Sequence, residues 1–456
     1  MKKSQISFLA ILIMGLAVFF GRFRQLGLSP DAALYAGLSA KVLRTSEYWR
    51  LSGSPEFFKN YFEHPPYFFQ WGALVLKLFG NSDGAARAIG AIPGFTAFLC
   101  LVIWLQRRAG LSVATLTGLL ILTFGHYTKY AASPMLEAPL SLGFVLTFIG
   151  LLEGLERKTF FKGIGLLFFL GLAISSAAKG IVGLGPWAAG SIFLLMKAKR
   201  QELPRQGLVV FLGLIATLFP LALWAAMTRP QTPLEVWHFK EYLAHQVYRS
   251  FTSDRGDLSH TSNGGVFTYF AVILKYGWPW WWTVPAALLR YRKKKISAQF
   301  FKTLTPAALL FFASVFVPFS LATFKLPHYL HPTYLILAPV GAYFFLSFEK
   351  FQSLYTRLLN KSWFWILLAI GLCFAMPAFF KGLSTSGNRG QAFIDAAQSV
   401  GKLPQECALL VNSELINAYR MESYSLWYFQ GRRWSFRFTA EDSLPCMWPW
   451  EPRIPF

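Results

Sequence analysis

The stretch Arg87-Ala88-Ile89-Gly90-Ala91-Ile92-Pro93-Gly94-Phe95-Thr96-Ala97-Phe98-Leu99-Cys100-Leu101-Val102-Ile103-Trp104-Leu105-Gln106 runs straight into Arg107-Arg108. Nothing between Arg87 and Arg107 carries charge, and a helix needs about 20 such residues to cross a bilayer core. It reads as a membrane span with a basic anchor at its end. Ten more runs of this kind follow the same rule, at about 5–22, 111–128, 136–153, 160–177, 180–197, 207–227, 271–289, 303–323, 328–348 and 363–381. The expected fold is therefore an all-α polytopic membrane protein with about eleven spans. The run at 271–289 is the least regular, because Lys275 and Gly277-Trp278-Pro279 interrupt it.

Composition agrees. Only 14% of the residues are charged, against about 25% in soluble domains. Forty-six Phe and sixteen Trp, with a mean hydropathy of +0.41, exceed what a soluble globule of this size can bury. A soluble enzyme, a disordered chain and a disulfide scaffold are excluded together. The net charge of +23 would suggest nucleic acid in a soluble protein. Here it marks cytoplasmic loops, and no nucleic-acid partner is expected.

The basic clusters fix a direction. Lys2/Lys3, Arg107/Arg108, Arg157/Lys158/Lys162, Lys197/Lys199/Arg200/Arg205, Arg290/Arg292/Lys293/Lys294/Lys295/Lys302 and Lys350/Arg357/Lys361 fall in every second connection. With the N-terminus inside, all six lie in the cytoplasm. The first span lacks a small-x-small cleavage site after Phe20, so it reads as an uncleaved helix rather than a signal peptide. The other face then receives the loops 23–86 and 228–270 and the tail 382–456, which divides the chain into a membrane domain, 1–381, and a small outer domain. Ala408 to Val411 and Ser435 to Phe438 read as short strands, with a helical stretch from Asp395 to Val400, so the tail is expected to be a small α/β unit. Cys407 and Cys446 share that tail and allow a disulfide if it faces an oxidising compartment. No internal repeat, P-loop or strand–GxGxxG–helix stands in the chain, so a nucleotide site has no support.

Chemistry should sit where water and bilayer meet. Asp31, opening Pro30-Asp31-Ala32-Ala33-Leu34-Tyr35, reads either as a cap or first-turn carboxylate or as a general base for an acceptor hydroxyl. Tyr35 follows one turn later on the same face. Phe62-Glu63-His64-Pro65-Pro66 is a surface turn or a polar pair with a task. Glu137 stands before the helix-starting Pro139 as an interfacial carboxylate. Lys179 and Lys325 occupy very short turns and either snorkel or face phosphate, with Lys325 just ahead of Pro327, His328 and Tyr329 at a helix start. The loop 228–270 adds Arg249 and His260, and nothing in it has HExxH spacing.

In order, Asp31-Ala-Ala-Leu-Tyr-Ala, Phe62-Glu63-His64-Pro65-Pro66, Ala86-Arg87, Glu137-Ala138-Pro139-Leu140, Lys179-Gly180 and Lys325-Leu-Pro-His-Tyr resemble one family over residues 20–345. It is the lipid-A aminoarabinose transferase and protein O-mannosyltransferase-like group, membrane glycosyltransferases of the GT-C fold. The family's Phe-Glu-Lys-Pro-Pro is here Phe-Glu-His-Pro-Pro, and its Asp-Ala/Ser-Pro is Glu137-Ala138-Pro139.

The resemblance implies sugar transfer from a polyprenyl-phosphate donor to a lipid, glycan or protein acceptor. The reaction would run on the periplasmic side of a bacterial inner membrane. It implies Asp31 and Glu137 as catalytic groups, and Lys179, Arg249, Lys325, His328 and Tyr329 at the donor phosphate. Tyr35 and His64 would line the acceptor groove. No cofactor is required by the sequence, and the resemblance adds a divalent metal shared by Glu63 and His260. The competing class is a transporter or flippase. Such proteins place ionisable residues and broken helices near the midplane, often in repeated halves, and neither feature is visible here.

Overall fold

The structure is a computed structural model that describes residues 3–24, 28–52, 60–80, 82–252, 267–276, 299–322 and 325–371, parts of 283–289, and the segments 408–410 and 447–449. In chain order the helices are α1 Lys3–Phe20, α2 Pro30–Thr45, α3 Tyr67–Phe79, α4 Asp83–Ala109, α5 Leu111–Thr123, α6 Gly125–Ala131, α7 Glu137–Glu156, α8 Leu167–Lys179, α9 Leu184–Lys197, α10 Leu203–Met227, α11 His238–Glu241, α12 Arg249–Thr252, α13 Thr268–Tyr276, α14 Gln299–Leu321, α15 His331–Leu346 and α16 Glu349–Leu359.

Among the described residues six helical runs are long and apolar enough to cross a membrane, or seven if one bent pair counts as a span. That corrects the expected eleven. Counting apolar runs treats each as a straight rod, and several are not. The first apolar helix, α1 Lys3–Phe20 with 18 residues, covers only about 27 Å at 1.5 Å per residue. The run at 111–128 is broken at Phe124, where α5 and α6 meet at 77°. Gly163–Lys197 counts as a single run of 35 residues, yet the Phe168 ring packs on Gly190. Twenty-two residues of straight helix would hold those two about 33 Å apart. The run therefore doubles back, at the turn that the sequence places between 160–177 and 180–197, and α8 and α9 are the arms of a hairpin whose tip is Lys179–Gly183. The expected spans at 271–289 and 363–381 fall partly outside the described residues.

The expected α/β outer domain is also corrected. Among the described residues the C-terminal region 382–456 holds one parallel pair of three-residue strands, Ala408–Leu410 with Met447–Pro449, and no helix. The chain is an all-α bundle in its described core. The expected helix at 395–400, the strand at 435–438 and both tail cysteines lie outside the described residues.

Why the helices pack as they do is written in small residues. Helices α7 and α8 touch backbone to backbone: a Cβ on Gly171 would collide with the Thr147 amide and the Gly143 carbonyl. Apolar association in lipid gains little from water release, so close van der Waals approach through glycine does the holding. Around this pair Phe98, Phe144, Phe148 and Phe168 are fully buried, with Phe144 and Phe148 set edge-on to Phe311 of α14.

Helix direction alternates, so the bundle has two ends. One is marked by Glu137 at the start of α7. The other is marked by Glu153 near its finish, about 24 Å away along the helix. At the Glu153 end gather Arg108, Arg157, Lys158, Lys197 and Arg205.

Candidate active site

Four elements carry acid and base to the Glu137 end. Glu137 opens α7 and is 2% exposed. The tip of the α8–α9 hairpin delivers Lys179, whose Nζ donates to Glu137 Oε1 at 2.5 Å. His328, in the short turn Pro327–Leu330 before α15, brings Nε2 to 3.6 Å from the same oxygen. The fourth element is α2, whose Ala32, Leu34 and Tyr35 share one buried cluster with Met135 and Leu136 just ahead of Glu137. That places Asp31 in the same electrostatic neighbourhood. Burial raises its carboxyl pKa first and repulsion from Glu137 adds to this, while Lys179 pulls it back.

The hairpin tip is held by its backbone. Gly180 has a φ of +63°, and a side chain there would strike the hydroxyl of Tyr242. That hydroxyl accepts the Ile181 N–H at 2.8 Å. A glycine at this position lets the chain reverse while Lys179 stays aimed at Glu137. Lys179 Nζ also lies 4.5 Å above the Tyr329 ring, so the ammonium bridges a carboxylate and an aromatic face.

Asp31 stands in the first turn of α2, but Ser29 is the N-cap residue, and the cap forms no side-chain hydrogen bond. Asp31 is thus a first-turn carboxylate beside the helix dipole and not the N-cap, and its place agrees with a base as well. Tyr35 lies one turn on and its hydroxyl meets His64 Nε2 at 3.2 Å. Tyr61, Phe68 and Phe69 close around this pair. Burial lifts the Tyr35 phenol well above its ordinary range, so it remains a neutral donor.

A cavity of about 550 Å³ opens beside these groups. Its polar end is lined by Glu63, His64, Lys179 and Tyr329. Its long wall is apolar, from Leu184, Ala188 and Ile192 of α9 to Leu310, Val317 and Phe319 of α14. Glu137 keeps one oxygen, Oε2, buried and without a protein hydrogen-bond partner. The arrangement can hold an anion at Lys179, seat a long apolar chain along α9 and α14, and accept a proton at Asp31.

A family model described as dolichyl-phosphate-mannose-protein mannosyltransferase matches residues 63–224. The chain is 27% identical over 342 residues to undecaprenyl phosphate-alpha-4-amino-4-deoxy-L-arabinose arabinosyl transferase 2 of Pseudomonas fluorescens. That match covers 71% of this chain and 54% of the relative, so it spans about half of that protein's length. The crystal structure of ArnT from Cupriavidus metallidurans bound to undecaprenyl phosphate superimposes with a TM-score of 0.71 at 19% identity, over 96% of this chain and 86% of that one. The chain has the ArnT fold. A more distant likeness, to the Archaeoglobus fulgidus oligosaccharyltransferase in complex with Zn and sulfate, has a TM-score of 0.52 at 15% identity over 91% of this chain and 57% of that one. The chain thus resembles the ArnT and mannosyltransferase-like membrane enzymes of the GT-C fold.

Within that ArnT fold the expected residues sort into three groups. Asp31, Glu137, Lys179, His328 and Tyr329 come together, with Tyr35, Glu63 and His64 beside them. Lys325 and Arg249 do not line the cavity. Lys325 is buried, with its ammonium donating to the Ala322 carbonyl, and Arg249 opens α12 next to the cavity residues Ser250 and Phe251. His260 lies outside the described residues. Among the described residues no group of three His, Cys, Asp or Glu could hold a metal. Glu63 is the one described member of the expected metal pair, so no step below runs through a metal.

Sequence reasoning missed Tyr242, which fixes the hairpin tip, and it missed His331. The latter is fully buried, with Nε2 at 2.8 Å from the Tyr127 carbonyl and Nδ1 at 3.1 Å from Ser141 Oγ. It ties α15 to α6 and to the first turn of α7. Its place three residues after His328 was the available signal, since that spacing keeps both rings on one face. Tyr242 offered none.

Proposed function

We propose that this chain is an integral membrane glycosyltransferase. It moves a sugar from a polyprenyl-phosphate donor to a lipid, glycan or protein acceptor on the periplasmic face of a bacterial inner membrane. The observation that carries this reading is the cavity. One end offers Lys179 and Tyr329, and the length offers an apolar wall between α9 and α14. A donor made of a charged phosphate on a long hydrocarbon matches both halves, and it needs no nucleotide pocket.

The chemistry follows from that seating. The bond from the sugar's anomeric carbon to the phosphate oxygen breaks, and its electrons leave with the lipid phosphate. Lys179 faces the charge that develops there, where low dielectric makes a fixed cation count. The acceptor oxygen bonds to the anomeric carbon on the other side. If it is a hydroxyl, its proton passes to Asp31, and a raised pKa suits a carboxylate to that task. If it is a phosphate, no proton need leave and Asp31 orients it. Glu137 holds Lys179 in place. The periplasmic assignment is supported by the Lys/Arg clusters at the Glu153 end, which the positive-inside rule puts in the cytoplasm.

Mass spectrometry of surface lipids and glycans from a deletion strain tests the proposal. A glycan or lipid that lacks one sugar, restored by the wild-type chain but not by Asp31→Asn, is the expected result. Unaltered surface glycans together with no turnover of polyprenyl-phosphate sugars by the purified chain would sink it.

A further inference from the structure

A second cavity of about 550 Å³ lies at the Glu153 end, the far side of the bundle from the chemistry above. Its floor is Leu152 and Leu155 of α7 with Phe160 and Phe300, and its rim carries Arg108, Lys158, Lys197 and Arg205 against Glu156 and Glu202. Arg108 is committed, to Glu153 at 3.0 Å and to Glu156. Glu202 is occupied by the Lys199 backbone N–H at 3.2 Å. Lys158, Lys197 and Arg205 set against the one charge of Glu202 leave the mouth net positive.

The rim is built rather than incidental. Lys158 holds a left-handed backbone at φ +52°, a conformation that costs a non-glycine residue. Its carbonyl accepts from Arg205, and the next amide, Thr159 N–H, donates to Gly154 at 2.9 Å. On the inner wall Gln206 is only 8% exposed, and its side-chain Oε1 has no hydrogen-bond partner. A buried amide oxygen without a donor costs about 1–3 kcal/mol, and it points to a ligand that can supply one. Beside the mouth, Met196 is 66% exposed and Phe211 59%, on the arms α9 and α10 that flank the cavity.

We propose that this cavity holds the headgroup of an anionic phospholipid that carries a hydroxyl beyond its phosphate. The phosphate sits between Lys197, Arg205 and Lys158, the hydroxyl donates to Gln206, and the acyl chains run along Met196 and Phe211. Charge-assisted contacts of this kind favour a phosphate over a zwitterionic headgroup. The site is independent of the transfer reaction, and its failure leaves the Glu137 end untouched.

Native mass spectrometry of the full chain, released from micelles with equal phosphatidylcholine and phosphatidylglycerol, is the test. The wild-type chain should retain phosphatidylglycerol with a preference of about tenfold, equivalent to about 1.4 kcal/mol. Lys197→Ala/Arg205→Ala should lose that preference. Lys350→Ala/Arg357→Ala, on α16, should keep it. Gln206→Leu should still reject phosphatidylcholine but, in micelles with equal phosphatidylglycerol and phosphatidic acid, should lose the preference for phosphatidylglycerol that the wild-type chain shows there. Should the double variant unfold, Lys197→Glu alone, checked for an unchanged melting temperature, reads the same loss. Equal retention by wild type and these rim variants would overturn the site. Displacement of the lipid by an equal concentration of glycerol phosphate would overturn the lipid and leave a soluble phosphate ester as the ligand.

Discussion

Helix α7 carries a buried carboxylate near each end, and the two are finished differently. Glu153 is 1% exposed and fully answered. Its Oε1 accepts the Trp104 indole N–H at 2.8 Å and faces Arg108 at 3.0 Å, and its Oε2 accepts from Arg157 at 2.7 Å. Glu137 is equally buried, yet only Oε1 is engaged, by Lys179 and His328, and Oε2 has no protein partner. A buried charge needs pairing to persist. Glu153 has enough partners to close a structural knot, whereas Glu137 has enough to stay ionised and one oxygen to spare. The spare oxygen, the cavity that Lys179 lines and an Asp31 carboxyl that feels both Glu137 and Lys179 make the first end a place for chemistry.

The largest expected effect is at Asp31. Asp31→Asn keeps the size of the side chain and removes its basicity. The transfer rate with a hydroxyl acceptor should fall by about 10²–10⁴-fold, with an unchanged melting temperature. A purified variant that transfers sugar at a near-normal rate would reduce Asp31 to a helix-dipole residue and take the catalytic meaning out of the comparison.

Next comes Lys179→Met, which strips Glu137 of its main partner. Removing one member of a buried pair costs about 3–5 kcal/mol. Arg157→Ala at the other end should cost no more than about 1 kcal/mol, because that arginine is 55% exposed and Glu153 retains Trp104 and Arg108. Thermal denaturation in detergent compares the two. Equal losses would mean that the ends are not finished differently after all.

A pH profile sharpens the contrast further. The Asp31 carboxyl is raised by burial and by Glu137, so transfer to a hydroxyl should rise with pH along a limb above the ordinary carboxylate range. Lys179 opposes that rise in pKa. A variant lacking its charge should therefore shift the limb upward, and Glu137→Gln should shift it downward. For stability the sign is reversed. A carboxyl that binds its proton more tightly when folded favours the folded state at low pH, and that contribution is lost as pH climbs through the raised value. An acid limb in the normal carboxylate range would remove Asp31 from the profile.

The smallest effect is Tyr35→Phe. It removes one hydroxyl contact with His64, worth about 0.5–1.5 kcal/mol, and should lower the melting temperature slightly while sparing the Glu153 end. A loss as large as that of Lys179→Met would show that the pair at 3.2 Å holds the site together.

Much of the site was legible in advance because its residues are rare in their surroundings. Asp31, Glu137, Lys179 and His328 are polar groups at the edges of apolar runs, where burying them is expensive without a purpose. Lys325 looked the same by that standard, and its ammonium donates to the Ala322 carbonyl in its own turn. Whether a cation reaches forward or back depends on the local turn, which composition does not encode. Tyr242 was invisible for a related reason: a tyrosine in a long loop has no periodicity to mark its target.

Composition and the spacing of charge decided by themselves that this chain is an apolar helical bundle with its basic residues set between spans. Those features express the cost of moving charge and bare backbone into lipid, a cost paid locally, residue by residue. The number of straight crossings was not local. It depended on the 77° bend between α5 and α6, inside what reads as one apolar run. Nor could the sequence say that one carboxylate of α7 would have both oxygens paired and the other only one. That was decided by which neighbours the packed helices bring within about 3 Å, since hydrogen bonds and ion pairs act only at contact distance.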